Sequence, residues 1–200
     1  MLAAAGVYLA MPEPLSVGPS WLLLVIIFVL VIPIGISHRI GRYEIARVLA
    51  LVANGAITIA MVASLVILIQ GIPQHREPPQ TLLRSASLLW VANILVFALW
   101  YWKLDAGGPM GRDRSRGKLD SSFLFPQMLS QEGPAGSDDD DSPWSPHFMD
   151  YLFLAFNTST AFSPTDTAAL SRWAKAGMML QSLISLTIVA LLAARAVNIL

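Results

Sequence analysis

Four long intervals without an acidic or basic side chain constrain what this chain can fold into. An ionised side chain at the centre of a bilayer costs roughly 2.5 to 3.5 kcal/mol, and a helix needs about 17 to 25 residues to cross the hydrocarbon. The intervals lie between Glu13 and His38, Arg47 and His75, Arg84 and Lys103, and Lys175 and Arg195. Each interval is long enough for one helix, so the sequence predicts a membrane protein.

The composition excludes several other classes of protein. Charged residues make up 13% of the chain, against roughly 25% in an average soluble domain. The 13 basic and 13 acidic residues balance, so we expect no basic face and no nucleic-acid partner. Cysteine is absent, and His38, His75 and His147 lack the spacing of metal ligands. We expect no metal site, no cofactor and no enzymatic activity, because no acid, base and nucleophile come together along the chain.

The predicted fold is all-α, a polytopic bundle of four membrane-spanning helices. The spans run from Trp21 to Ser37, from about Ile45 to Gln70, from Ser85 to Trp102, and from Ala176 to Ala194. A kink is expected near Pro33 in the first span. Polar side chains within the spans are expected to form hydrogen bonds between helices. These residues are Asn54, Thr58, Asn93, Gln181 and Ser185.

A fifth apolar interval, from Tyr151 to Thr165, is too short to cross a bilayer. We expect a re-entrant or interfacial helix from about His147 to Ala161. Two interpretations of the loop after it stay open. In the first it is a capped turn, in which Pro164 ends the short helix and Ser163 or Asp166 caps the next one. In the second its hydroxyl groups coordinate a dehydrated cation.

The charge pattern divides the chain into four parts. They are a short apolar N-terminal segment (1–20), three spans (21–102), a polar and partly disordered loop (103–147), and a hairpin with the last span (148–200). Within the loop, the run from Ser130 to Pro143 is low in complexity and predicted to be disordered, and its four aspartates are predicted to be solvated. The aromatic residues that flank this run are expected on the membrane surface or against the bundle. They are Phe123, Phe125, Trp144 and Phe148.

The order of elements after Asp150 resembles the pore helix, filter and inner helix of tetrameric potassium channels, with the third span as the outer helix. The segment Ser159-Thr160-Ala161-Phe162-Ser163 aligns with the Thr-Val-Gly-Tyr-Gly filter of that family. The resemblance implies a homotetramer and a pore for a monovalent cation. The pore-loop candidates that it implies are Thr158, Ser159, Thr160, Ala161, Phe162, Ser163 and Asp166.

Three residues of this loop disfavour the backbone conformation of a potassium filter. Ala161 and Ser163 replace both filter glycines, and a residue with a Cβ pays roughly 1 to 2 kcal/mol to enter a left-handed conformation. Pro164 then restricts the next φ and removes a donor. The sequence therefore predicts a channel-like protein with a degenerate pore loop that permits monovalent cation permeation. The alternative is a non-conducting structural or accessory membrane protein.

A second resemblance covers most of the chain. The stretches at 11–19 (MPEPLSVGP), 93–109, 123–128 and 155–167 are similar to those of a widespread group of bacterial integral membrane proteins. Membership would imply a multi-pass protein of the bacterial inner (plasma) membrane, with the lipid bilayer as its partner. It implies no particular activity.

The basic residues predict the orientation of the long loop. With that loop in the cytoplasm, ten of the thirteen Lys and Arg residues are cytoplasmic, provided that the short helix does not cross. The rule therefore predicts an outside N-terminus and an inside loop. A pore loop of the potassium-channel type enters from the outside, so the two predictions conflict.

Cysteine labelling tests this orientation. The chain has no native cysteine, so a Gly136→Cys variant carries one thiol in the long loop. We expect a membrane-impermeant maleimide to label it only after the cells are permeabilised, whereas a Gln74→Cys control on the opposite side is labelled in intact cells. Labelling of Gly136→Cys in intact cells would place the loop outside.

Overall fold

The structure is a computed structural model that describes residues 2–9, 25, 28–29, 31–33, 35–36, 40, 42–71, 78–109, 111–112, 121–129, 144–160 and 166–197. Most of these residues are helical. In chain order the elements are α1 (Leu2–Leu9), α2 (Tyr43–Gly71), α3 (Pro79–Leu104) with a 3-10 turn (Asp105–Gly107), β1 (Phe123–Leu124), α4 (Pro126–Leu129), α5 (Phe148–Thr160), β2 (Ala168–Ala169) and α6 (Arg172–Val197).

Three helices, α2, α3 and α6, are long and apolar enough to cross a membrane. They coincide with the second, third and fourth predicted spans, but α3 begins six residues earlier and α6 four residues earlier. Pro79 occupies the first helical position of α3, where its missing N–H removes no intrahelical bond. The polar residues that follow Pro79 therefore extend the helix beyond its charge-free part.

Much of the first predicted span lies outside the described residues. Those that the structure describes between Val25 and Ile36 are helical, but only three helices among the described residues are long and apolar enough to span a membrane, so the prediction of four spans is not confirmed. Pro33 is among the described helical residues, whereas residues 30 and 34 are not described, so the kink stays a prediction. The acidic run at 138–141 and the residues 161–165 fall outside the described part of the chain.

The chain divides into two compact units, Met1–Val96 with Leu183–Leu200, and Phe97–Ser182. In the first unit α2 buries side chains three or four residues apart, as a helix with one packed face does. They include Ala53, Ile57, Met61, Leu65 and Leu68.

Polar groups within the first unit are also buried. The fully buried Asn54 donates from Nδ2 to the Val96 carbonyl at 3.4 Å, and the Thr58 hydroxyl donates to the Asn54 carbonyl at 2.7 Å. Asn93 and Ser185 are buried as well. Asn54, Asn93 and Ser185 thus occupy interior positions, whereas Thr58 is half-buried and its hydroxyl bonds to its own helix.

In the second unit two short strands bring the ends of a long segment together. Phe123 pairs with Ala169 and Leu124 with Ala168 in an antiparallel register, and the Leu170 N–H donates to the Ser122 carbonyl at 2.8 Å. The two ends of the segment between β1 and β2 therefore lie next to each other. These strands were not expected from the sequence, because two residues are too few to show an alternating pattern of apolar and polar side chains.

The short helix α5 lies where it was expected, within one residue at each end. Its 13 residues extend about 20 Å, which is less than the ~30 Å of a bilayer core. At its start, the Asp150 carboxylate accepts from the His147 N–H at 2.7 Å, which satisfies one free donor of the first turn.

The expected cap of the last helix was wrong. Asp166 does not cap it, because β2 intervenes and α6 begins at Arg172, and Ser163 lies outside the described residues. The Ala174 N–H donates to the Ser171 hydroxyl at 3.3 Å instead, so Ser171 takes the capping position.

The end of α3 is a tight turn capped by an arginine. Ala106, Gly107 and Gly108 have φ of 49°, 79° and 83°, and this left-handed path reverses the chain. Arg112 then donates from Nη1 to the carbonyls of Trp102 and Asp105, both at 3.0 Å. A cation that binds the free carbonyls at a helix C-terminus is favourable to the helix dipole.

This turn predicts an effect of Gly111→Ala. A Cβ at Gly111 would collide with the Ala106 carbonyl oxygen, so we expect unfolding in detergent to show a loss of about 1 to 3 kcal/mol. Gly55→Ala in α2 is the matched control, because the space around Gly55 is open and alanine favours a helix by up to about 1 kcal/mol. Equal stability of the two variants would contradict the described turn.

Candidate functional site

A buried carboxylate joins three parts of the second unit. Asp105 has no exposed surface. Its Oδ1 accepts from the Ser122 N–H at 2.5 Å, and its Oδ2 accepts from the Tyr151 phenol at 2.6 Å and lies 3.0 Å from the Ser121 hydroxyl. A carboxylate removed from water must recover its lost hydrogen bonds within the protein. Asp105 therefore holds the end of α3, the segment before β1 and the helix α5 together.

Arg112 and Tyr151 complete this cluster. The guanidinium carbon of Arg112 lies 5.0 Å from the centre of the Tyr151 ring, a distance at which a cation is attracted to the ring face. Burial raises the pKa of the Tyr151 phenol well above its ordinary value, and the Asp105 carboxylate raises that pKa further. Tyr151 consequently keeps its proton at neutral pH and donates a hydrogen bond to Asp105.

An aromatic core packs beside the carboxylate. The fully buried Phe123 ring centre lies 5.1 Å from that of Tyr101, 6.2 Å from that of Tyr151 and 5.7 Å from that of Trp173. These distances and tilted angles are typical of favourable aromatic pairs. The Trp173 Nε1–H also donates to the Ser122 hydroxyl at 3.0 Å. The start of α6 is thus held against the segment before β1.

The flanking aromatic stretches therefore lie within the second unit. Phe125 packs against Tyr151 and Trp144 at centre distances of 5.3 and 5.8 Å. Phe148 packs against Trp102 at 5.6 Å. Of the two expected positions, the membrane surface and the helix bundle, the contacts correspond to the second.

A buried amide forms the second cluster of the unit. Gln181 of α6 accepts from the Tyr101 phenol at Oε1, 2.6 Å away, and donates from Nε2 to the Ala155 carbonyl at 2.7 Å and the Ser159 hydroxyl at 2.8 Å. The neighbouring Ser182 hydroxyl donates to the Thr158 carbonyl at 3.3 Å. One position on α6 therefore holds α3 and the C-terminal half of α5.

The position of Gln181 along α6 locates the end of the short helix. Gln181 lies nine residues after Arg172, or about 14 Å along the helix axis. The 26 residues of α6 extend about 39 Å. The C-terminal end of α5 is thus bound about one third of the way along a helix that is long enough to span a membrane.

The predicted loop residues occupy different environments. Thr158 and Ser159 are buried beside Gln181 and Ser182, whereas Thr160 is exposed. The hydroxyls of Thr158 and Thr160 donate to carbonyls one turn earlier in α5, those of Leu154 and Phe156, at 2.8 and 2.9 Å. Asp166 is exposed two residues before β2. Ala161, Phe162 and Ser163 lie outside the described residues.

Among the described residues, no group of three His, Asp or Glu side chains could hold a metal ion. The ionisable groups of the site instead bind one another or backbone groups. What the arrangement offers chemically is a set of oxygen acceptors at the C-terminal end of a short helix.

Sequence reasoning missed the Asp105 cluster. Asp105 appeared to begin the polar loop, where a carboxylate is normally solvated. One signal was present, because the glycine pair at 107 and 108 predicts a turn that returns the chain toward the helix end. Tyr101 lies near the end of the third predicted span, where an aromatic residue is typical of the membrane interface, and nothing local indicates a partner 80 residues away.

Comparison of the chain with protein-family models, curated proteins and solved structures finds no match. The two resemblances described from the sequence therefore stay predictions. The function of the site has to be inferred from its own geometry.

The Asp105 cluster predicts a coupled loss of stability. Tyr151→Phe removes one donor to a buried carboxylate, so we expect unfolding in detergent to cost about 1.5 to 3 kcal/mol less free energy than in wild type. Asp105→Asn should also destabilise. The double variant should deviate from the sum of the single changes by about 0.5 to 3 kcal/mol, because the two residues interact directly.

Tyr43→Phe is the matched control for this experiment. Tyr43 is exposed at the start of α2, and a surface change of this kind alters stability by no more than about 0.5 kcal/mol. Strictly additive effects of Asp105→Asn and Tyr151→Phe would contradict the described hydrogen bond.

Proposed function

We propose that this chain is a subunit of a channel-like integral membrane protein, with α5 and the loop after it as a degenerate pore loop permeable to monovalent cations. One observation carries the proposal. A helix too short to span a membrane is held by Gln181 and Ser182 with its C-terminal end against α6, about 14 Å from the start of that helix. Broken helices of this kind are the structures that place backbone carbonyls at ion pathways within membranes.

The polarity of this helix end favours a cation. The C-terminal end of a helix carries a partial negative charge, because its last four carbonyls lack intrahelical donors. The hydroxyl of the exposed Thr160 donates a hydrogen bond to the Phe156 carbonyl. The lone pairs of the Thr160 hydroxyl oxygen can then accept from, or coordinate, another group. Oxygen acceptors at the end of a negative dipole attract cations and repel anions.

The same loop is not expected to select potassium strongly. Selectivity of the potassium type depends on successive carbonyls aimed at the ion, and the residues Ala161, Ser163 and Pro164 disfavour that backbone. We therefore propose monovalent cation permeation with little discrimination between potassium and sodium.

An oligomer is part of the proposal. One loop between two helices cannot enclose a pore, so several copies are needed, and four would correspond to the channel resemblance. Most of the α6 surface is exposed, including the apolar side chains of Met179, Leu183 and Leu186. Such a surface is suited to lipid and to other copies in a bilayer. We place the protein in the bacterial inner membrane with several spans.

A second candidate is a non-conducting structural or accessory membrane protein. The hydroxyls of Thr158 and Thr160 donate hydrogen bonds to carbonyls of α5 itself, and the Ser159 hydroxyl accepts one from Gln181. Such a hairpin is a stable packing element without any ion, and this observation favours the second candidate.

Flux measurements in liposomes distinguish the two. We expect purified protein to pass potassium and sodium at rates above those of empty vesicles, and Thr160→Val to lower both rates because it removes the exposed acceptor. Thr187→Val is the matched control, since Thr187 is also exposed and bonds back to its own helix, at Leu183. A monomer in detergent with no flux above empty vesicles would favour the accessory protein.

A further inference from the structure

We propose that Gln181 is a positioning residue of the cation pathway, because it sets the depth and rotation of the C-terminal end of α5. The inference rests on the proposed function for the existence of a pathway. The placement of α5 by Gln181 can be tested separately from conduction.

The hydrogen bonds of Gln181 determine which way its amide points. Nε2 faces two acceptors, the Ala155 carbonyl and the Ser159 hydroxyl oxygen. The opposite orientation would aim Oε1 at the Ala155 carbonyl, and two acceptors would then oppose each other. Oε1 therefore faces Tyr101, whose phenol donates to it. The amide has one satisfactory orientation, and Tyr101 completes it.

Two contacts one helical turn apart fix the placement of α5. Ala155 and Ser159 are four residues apart and lie on the same face of the helix. A helix that slides along α6 or rotates about its own axis loses both contacts. Tyr151, one turn earlier on this face, binds Asp105. The N-terminal half of α5 is thus bound to the end of α3 through Asp105, and its C-terminal half is bound to α6 through Gln181.

The location of Gln181 distinguishes this role from ordinary packing. Gln181 has no exposed surface and lies about one third of the way along α6, and a buried amide without partners is costly. An apolar residue such as leucine would fill the same space at less cost in desolvation. The amide is the group that reaches the two turns of α5 next to Thr160, the residue proposed to face the ion.

The experiment compares Gln181→Leu with wild type and with the Thr187→Val control in lipid nanodiscs and liposomes. We expect hydrogen exchange at the backbone amides of residues 156–160 to become about tenfold faster in Gln181→Leu, because local opening then breaks fewer bonds. Exchange in Thr187→Val should equal that of wild type. In liposomes we expect the preference for potassium over chloride to fall several-fold in Gln181→Leu and to stay at the wild-type value in Thr187→Val.

Tyr101→Phe provides a second variant if Gln181→Leu fails to fold. It removes a single hydroxyl, leaves the amide without its orienting donor and should change exchange and ion preference in the same directions by smaller factors.

The outcomes separate the two proposals. Absence of flux in wild type overturns the proposed channel function, and exchange alone then decides whether Gln181 positions α5. Unchanged exchange in both variants overturns the inference whatever the flux. Faster exchange with an unchanged preference in a conducting protein shows that Gln181 only packs, which also overturns it.

Discussion

Buried polar groups must find their hydrogen bonds inside the protein, and this requirement organises the second unit. Two side chains without exposed surface, Asp105 and Gln181, collect donors and acceptors from segments far apart in the sequence. The bonds of Asp105 reach 46 residues to Tyr151, and those of Gln181 reach 80 residues to Tyr101. An apolar core of equal volume could pack in several registers, whereas these bonds form in one.

Together the two groups bind a single face of α5. Tyr151, Ala155 and Ser159 follow one another at successive turns and contact Asp105 or Gln181. The opposite face exposes Met149, Phe153 and other apolar residues. A helix with apolar side chains on its free face and polar bonds on its held face is suited to an apolar environment.

The sequence predicted some of these elements well. The bounds of α5 were expected to within one residue, because Asp150 begins an apolar interval too short to be a span. The burial of Asn54 and Gln181 followed from their isolation among apolar residues. In contrast, Ser171 as the cap of α6 and the pairing of Phe123 with Ala169 were not predicted. Both depend on a strand of two residues that has no local signature.

The sequence by itself determined three helices that are long and apolar enough to cross a bilayer and one that is too short to do so. The reason is that charge spacing and apolar length are properties of a continuous segment, and a bilayer of fixed thickness requires a minimum apolar length of any helix that spans it. Only the tertiary structure decided that Asp105 is buried, that Tyr101 binds Gln181 and that the C-terminal end of α5 binds the same glutamine of α6. These features are pairings between distant residues, and no local propensity specifies which donor meets which acceptor once the helices pack.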